Sequence, residues 1–212
     1  MGASRRYSNS VFINCPFDGE YKRIFDALVF AVFDCGYVAR CTLEIDDASR
    51  ARIENILTII GECKFGIHDI SRTELSEGSG LPRFNMPLEL GLFLGAARFG
   101  SGQQREKRCL VLDRERYRYQ RYISDIAGQD IKSHDDDPGV AIARVRDWLN
   151  NDSLGSNVMI PGGVIMARRY ERFTSELPGM CETVHLEPHE LTFNDLANMV
   201  SGWLQENPWG SP

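Results

Sequence analysis

Glu89 is an acid in an apolar setting. Residues 83–100 read RFNMPLELGLFLGAARFG, a helical segment whose only acid lies between Leu88 and Leu90, two residues after Pro87. The expected helix places Glu89 in its first turn, where a carboxylate can pair with the macrodipole for about 0.3–1 kcal/mol. Among apolar neighbours the same carboxylate can instead be held at a pocket floor, where it would stabilise positive charge developing on a bound molecule. Other polar side chains cluster just after strand-like segments. They are Asn14 and Asp18 in NCPFD, Asp69 in HDIS, and Arg83 and Asn85 ahead of Glu89, with the apolar Met86 beside them. Arg52 opens the second long helix, and Phe17 and Tyr21 add rings. A few convergent polar groups beside aromatic rings are the ingredients of a small-molecule pocket.

The elements that would position these residues follow a regular order. NSVFINCPF (9–17) is a short apolar strand, and residues 18–34 carry Ile24, Phe25, Leu28, Val29 and Val32 at helical spacing until Gly36 stops them. YVARC (37–41) is a second strand, and Ile53, Ile56, Leu57, Ile59 and Ile60 mark a second helix. KFGIHDIS (64–71) is a third strand, with His68 read as a core histidine. A Gly/Ser-rich loop containing Ser79 leads into the Glu89 helix, and RCLVLD (108–113) is a fourth strand. Alternating strands and helices imply an α/β fold, an open parallel sheet of about five strands with helices on both faces. In such sheets ligands collect outside the carboxyl ends of the strands, where all the residues named above fall. The α/β domain is expected over 9–150. NNDSLGSN (150–157) reads as a linker, and 158–212 as a small C-terminal helical extension with a strand-like ETVHLEP (182–188) and a capping box at Thr192 and Asp195.

Composition narrows the function. A net charge of −6 and a pI near 5.3 argue against coating nucleic acid or anionic membrane. The Arg/Tyr-rich RERYRYQRY (114–122) is read as a solvated loop or self-association surface, with HDDDP (134–138) close behind. No apolar run reaches membrane-spanning length and no signal-peptide core is present, so a cytoplasmic location away from membranes is expected. The six cysteines read as reduced core residues, and Cys181, His185 and His189 as a surface turn instead of a metal site. Neither Gly-x-Gly-x-x-Gly, a P-loop nor Gly-x-Ser-x-Gly occurs.

Several of these segments together resemble a known group. The polar and aromatic turn after the first strand, Arg52-x-x-x-Ile56, Asp69-x-Ser71 and Glu89-Leu-Gly91 look like the nucleoside 2-deoxyribosyltransferase-like group. They also look like the bacterial Toll/interleukin-1 receptor (TIR) domains that cleave NAD. Ile123–Gly128 and VRDWL extend the likeness, which covers residues 9–150. It implies a flavodoxin-like/TIR-like sheet, Glu89 as the catalytic residue and Asn14, Phe17, Asp18, Tyr21, Arg52, Asp69, Arg83, Asn85 and Met86 around the substrate. It also implies N-glycosidic cleavage of a nucleotide or nucleoside, with NAD as a substrate and no metal or cofactor, in a bacterial defence effector that works as a homo-oligomer or with a partner protein. A non-catalytic nucleotide-sensing or scaffold module of the same fold is the alternative. Arg83 and Arg52 stand where deoxyribosyltransferases carry Asp, which points from nucleosides toward phosphorylated ligands, since a guanidinium matches phosphate.

Overall fold

The computed structural model describes residues 3–47, 49–73, 83–152 and 159–209. Ser79 and the rest of 74–82, 153–157 of the expected linker, and residue 158 lie outside them. Strands β1 (Ser10–Asn14), β2 (Val38–Arg40), β3 (Phe65–Asp69), β4 (Arg108–Asp113) and β5 (Lys132–Ser133) form one open, all-parallel sheet in the order β2-β1-β3-β4-β5. Every residue of β1 and β3 is buried, because helices cover both faces, and that is why these strands are almost uninterruptedly apolar. From β1 the chain steps outward to β2, then crosses back to β3 on the other side. The β1–β3 boundary is therefore the switch in strand order, where a crevice opens at the carboxyl ends.

Strand alternation decides which side chains share a face. Phe12 points to one side, where it packs with Ile56, Ile59 and Ile60 of α3 (Arg52–Glu62) and Phe93 of α4 (Asn85–Phe99). Val11, Ile13, Phe65 and Ile67 point to the other. There they meet α2 (Lys22–Asp34), α5 (Pro138–Asp152), α6 (Gly163–Thr183) and α7 (Phe193–Glu206) in one continuous core. A short α1 (Ala3–Asn9) precedes β1. Helix α2 ends at Gly36, whose φ of 83° suits glycine and lets Gly36 N–H and Tyr37 N–H donate to the carbonyls of Phe33 and Val32.

Expectations change at two helices. Helix α4 starts at Asn85, so Glu89 is its fifth residue and lies in the second turn, beyond the free N–H groups of the first turn that make a helix start attractive to acids. Helix α6 continues through Pro178 to Thr183 and takes in the first part of the strand-like 182–188. A proline costs this helix one main-chain hydrogen bond, and the fully buried Cys181 in the following turn holds the continuation in place. The fifth strand is only two residues long, Lys132 and Ser133. The capping box forms as read: Thr192 Oγ1 accepts from Asp195 N–H, and Thr192 N–H donates to the Asp195 carboxylate. No described helix is long and apolar enough to cross a membrane.

Candidate functional site

The alternation that builds the core also sorts the candidate residues. Asn14 and His68 point to the α3/α4 face beside Phe12, while Asp69 points to the α2/α5 face. The crevice thus has two sides, parted by the ends of β1 and β3.

On the α3/α4 side, Asn14 is 2% exposed and ties three segments together. Its Nδ2 donates to the Met86 carbonyl at 2.9 Å and lies 3.1 Å from His68 Nδ1. His68 Nδ1 is therefore the acceptor, and the ring proton sits on Nε2, which is buried and has no hydrogen-bond partner among the described residues. Burial pulls the His68 pKa down to about 3, with the Lys107 charge adding to the effect, so the ring is neutral. It packs edge-on to Phe12 and Phe93. Gly66 makes this packing possible, since a Cβ there would stand 2.6 Å from His68 Nε2 and 2.9 Å from the Phe93 ring. His68 is a positioning group in the core, as its apolar neighbours suggested.

The Asn14–Met86 bond fixes the first turn of α4 against the end of β1, and Glu89 follows one turn later. Glu89 is 6% exposed. Among the described residues its Oε2 has no hydrogen-bond partner. Burial pushes its pKa up to about 7, with the Arg52 guanidinium pulling the other way. Leaving a buried carboxylate oxygen without a partner costs free energy that an apolar side chain would avoid. Such a group, at the switch in strand order, is aligned with binding or chemistry more than with stability.

On the α2/α5 side, Asp69 is fully buried. Its Oδ1 accepts from Ser71 N–H at 2.8 Å and its Oδ2 lies 2.9 Å from His134 Nε2. Asp136 N–H donates to His134 Nδ1, so the His134 ring proton is on Nε2, facing Asp69 and Ser71 Oγ, which is 3.0 Å away. One imidazole nitrogen serves both neighbours, so Ser71, His134 and Asp69 are not a relay in which a base activates a nucleophile. Tyr21 lies edge-on to His134, and burial followed by the Asp69 charge raises its pKa well above the usual value. This buried knot joins the end of β3 to the residue that follows β5. His134 escaped notice in the sequence because HDDDP reads as a solvated acidic run; its signal is the capping role of that run, where Asp137 Oδ1 accepts from Val140 N–H at the start of α5.

No family model, curated protein or solved structure matches this chain. The remaining candidates are therefore placed by geometry. Asp18 bridges the crevice mouth: Arg83 Nη1 donates to its Oδ2 at 2.7 Å, Tyr21 N–H donates to Oδ1, and Arg72 reaches it at 3.8 Å while pairing with Glu20 at 2.6 Å. Arg83 lies just ahead of α4, and Arg52 opens α3, where its charge acts on the Glu89 carboxyl. Arg52 is exposed, with a long 3.4 Å contact to Thr42 Oγ1. Asn85 is exposed at the first turn of α4, whereas Met86 is buried and contributes its carbonyl. Phe17 is half-buried against Phe25, ring centroids 5.4 Å apart, and with Asp18 it lines a neighbouring pocket of about 200 Å³ closed by Phe193 and Leu196 of α7. The structure thus ties Asn14 to Met86, sets the Arg52 charge near Glu89, pairs Asp18 with Arg83, and buries Tyr21 and Asp69 beside His134. Cys181 is buried while His185 and His189 are exposed, and among the described residues no His/Cys/Asp/Glu group could hold a metal.

Proposed function

We propose that this chain is an N-glycosidase that cleaves the base–ribose bond of a nucleotide such as NAD, with Glu89 as the carboxylate facing C1′. The observation that carries this reading is the buried Glu89 oxygen without a partner, at the switch in strand order, on a helix whose register Asn14 locks. In the proposed reaction the C1′–N bond breaks and its electron pair leaves with the base. A neutral nicotinamide departs from NAD, so no acid has to protonate it. Positive charge spreads over C1′ and the ring oxygen, and the ionised Glu89 offsets it in a site with little water to compete. Water then adds to C1′ and its proton passes to solvent. A carboxyl with a pKa of about 7 is poised for this, since a cationic pyridinium entering the site would favour its ionised form. Arg52 and Arg83 at the opening suit a phosphorylated substrate, with Arg83 exchanging Asp18 for phosphate.

The same pKa supports a second reading, a module that binds a nucleotide without cleaving it. A protonated Glu89 would donate a hydrogen bond to a base or ribose and have no charge to offer C1′. Base release from NAD and a panel of nucleotides and nucleosides, followed by chromatography for wild type and Glu89→Gln, separates the two. The glycosidase reading expects release by wild type and a loss of about 10²–10³-fold or more in the variant with circular dichroism unchanged. No release from either protein across the panel, with binding retained, would replace it by the sensing module.

A further inference from the structure

The Arg/Tyr-rich segment after β4 plays no part in the crevice, yet it is held with unusual care. Arg118 is buried and pairs with Asp113 at 2.7 Å while donating to the Ile70 carbonyl, which clamps the loop across the ends of β3 and β4. Just before this anchor, Tyr117 has a φ of 61°, a left-handed conformation that a bulky side chain rarely adopts. Strain of this kind persists where surrounding structure enforces it, and it gathers at ligand sites. Its effect here is to hold Arg116 and Tyr117 at the rim of a polar pocket of about 240 Å³, with Lys132 of β5 and Arg144 of α5 on the other walls.

The charges in this pocket do not balance. Asp130 pairs with Lys132 at 2.6 Å. Arg144 uses Nε on the Ser133 carbonyl, and among the described residues Arg116 meets no hydrogen-bond or ion-pair partner. Among the described residues neither guanidinium of this pocket, Arg116 or Arg144, therefore has an ion-pair partner, and its one carboxylate, Asp130, is held by Lys132. Arg144 and Lys132 also line a second hollow of about 350 Å³, which runs along the β4 edge beside Leu110 and Trp148. A cationic pocket opening into a trough with an indole in its wall has the layout for a phosphate joined to a planar group.

We propose that the β4–β5 edge carries a second, anion-binding site for a small organic phosphate, its phosphate between Arg116 and Arg144 and its planar part beside Trp148. The site lies at the edge of the sheet, away from the β1–β3 switch, and does not depend on Glu89. A nucleic-acid strand, the other source of phosphate, fits less well, because Asp130 and Asp147 line the adjoining hollow and Asp135, Asp136 and Asp137 follow the pocket closely in the chain, where they would repel a phosphate track.

The test is a titration of the full chain with AMP, with adenosine and with a short oligothymidylate. It is read by the NMR signal of the Trp148 indole, assigned through Trp148→Phe. The expected result is a saturable shift with AMP, roughly tenfold weaker binding of adenosine, and a similar loss of AMP affinity in Arg116→Ala with adenosine unaffected. Arg116 is exposed and unpartnered, so this variant should fold. Glu89→Gln should bind AMP here as wild type does, whatever it does to base release. Absence of a shift, equal shifts with adenosine, or an unchanged Arg116→Ala titration would overturn the proposal. Tighter binding of the oligonucleotide than of AMP, with a steep salt dependence, would overturn it in favour of a strand contact.

Discussion

At the scale of single residues, Glu89 and His68 titrate against each other. Glu89 has its pKa raised from 4.5 to about 7, so the folded state holds a proton that the unfolded chain releases. By linkage its contribution is fully present below about pH 4.5 and lost as pH rises through 7, a span worth roughly 3 kcal/mol. His68 has its pKa lowered from 6.5 to about 3, so its contribution is present above pH 6.5 and lost toward acid. Between about pH 4.5 and 6.5 the two slopes oppose one another. Urea unfolding of Glu89→Gln should therefore show stability rising with pH across that window, and wild type a flatter or falling profile. Parallel profiles would mean that Glu89 is ionised in the folded protein at neutral pH. Much of this site was legible in the sequence: an acid among leucines after a proline marks Glu89, and strand-end polar residues mark Asn14 and Asp69. Their grouping was not legible. That Asn14 reaches Met86, and that Asp69 turns away from Glu89 toward His134, depends on strand register and on contacts spanning more than fifty residues of chain.

At the scale of elements, the strands β1, β3 and β4 were readable because burial on both faces demands continuous apolar runs. Two-residue β5 carries no such pattern, since it is set by pairing Leu112 with Lys132 and Asp113 with Ser133. The loop between β4 and β5 is likewise held by tertiary contacts, above all the buried Arg118–Asp113 pair, whose side chains are 3% and 0% exposed. Removing one partner strands a charge in a poorly solvated place, which costs about 3–5 kcal/mol. Arg118→Met should lower stability by that amount in urea unfolding. Arg118→Met combined with Asp113→Asn should recover a large part of it, because the stranded charge is gone. A double variant as unstable as the single one would show that the bond from Arg118 to the Ile70 carbonyl carries the effect instead. Either way, loss of the clamp releases the strain at Tyr117, so Arg118→Met should also weaken AMP at the β4–β5 edge.

At the scale of the whole molecule, the C-terminal helices complete the core of the α/β sheet. Phe30 of α2 touches Tyr170 and Phe173 of α6 and Trp203 of α7, with ring centroids 5.4–5.9 Å apart. Around this aromatic group Arg169 binds the buried Asp34 carboxylate and the Asn207 carbonyl and stacks on Trp203 and Trp209, so one side chain ties α2, α6 and the end of α7 together. Trp203 is 2% exposed, and its indole N–H donates to Glu176 at 2.6 Å. Trp203→Ala should cost about 3–5 kcal/mol and lower Tm by roughly 10 °C or more. What separates a shared core from an appended one is cooperativity. If α7 merely leaned on the sheet, it would unfold first, and in wild type the near-ultraviolet circular dichroism of Trp203 and of Trp209 just beyond it would melt before the backbone signal. A shared core predicts one transition, with both probes and the hollow lined by Phe17 and Phe193 lost together. Two separated transitions would make residues 159–209 a unit of their own, able to leave the crevice standing when they unfold.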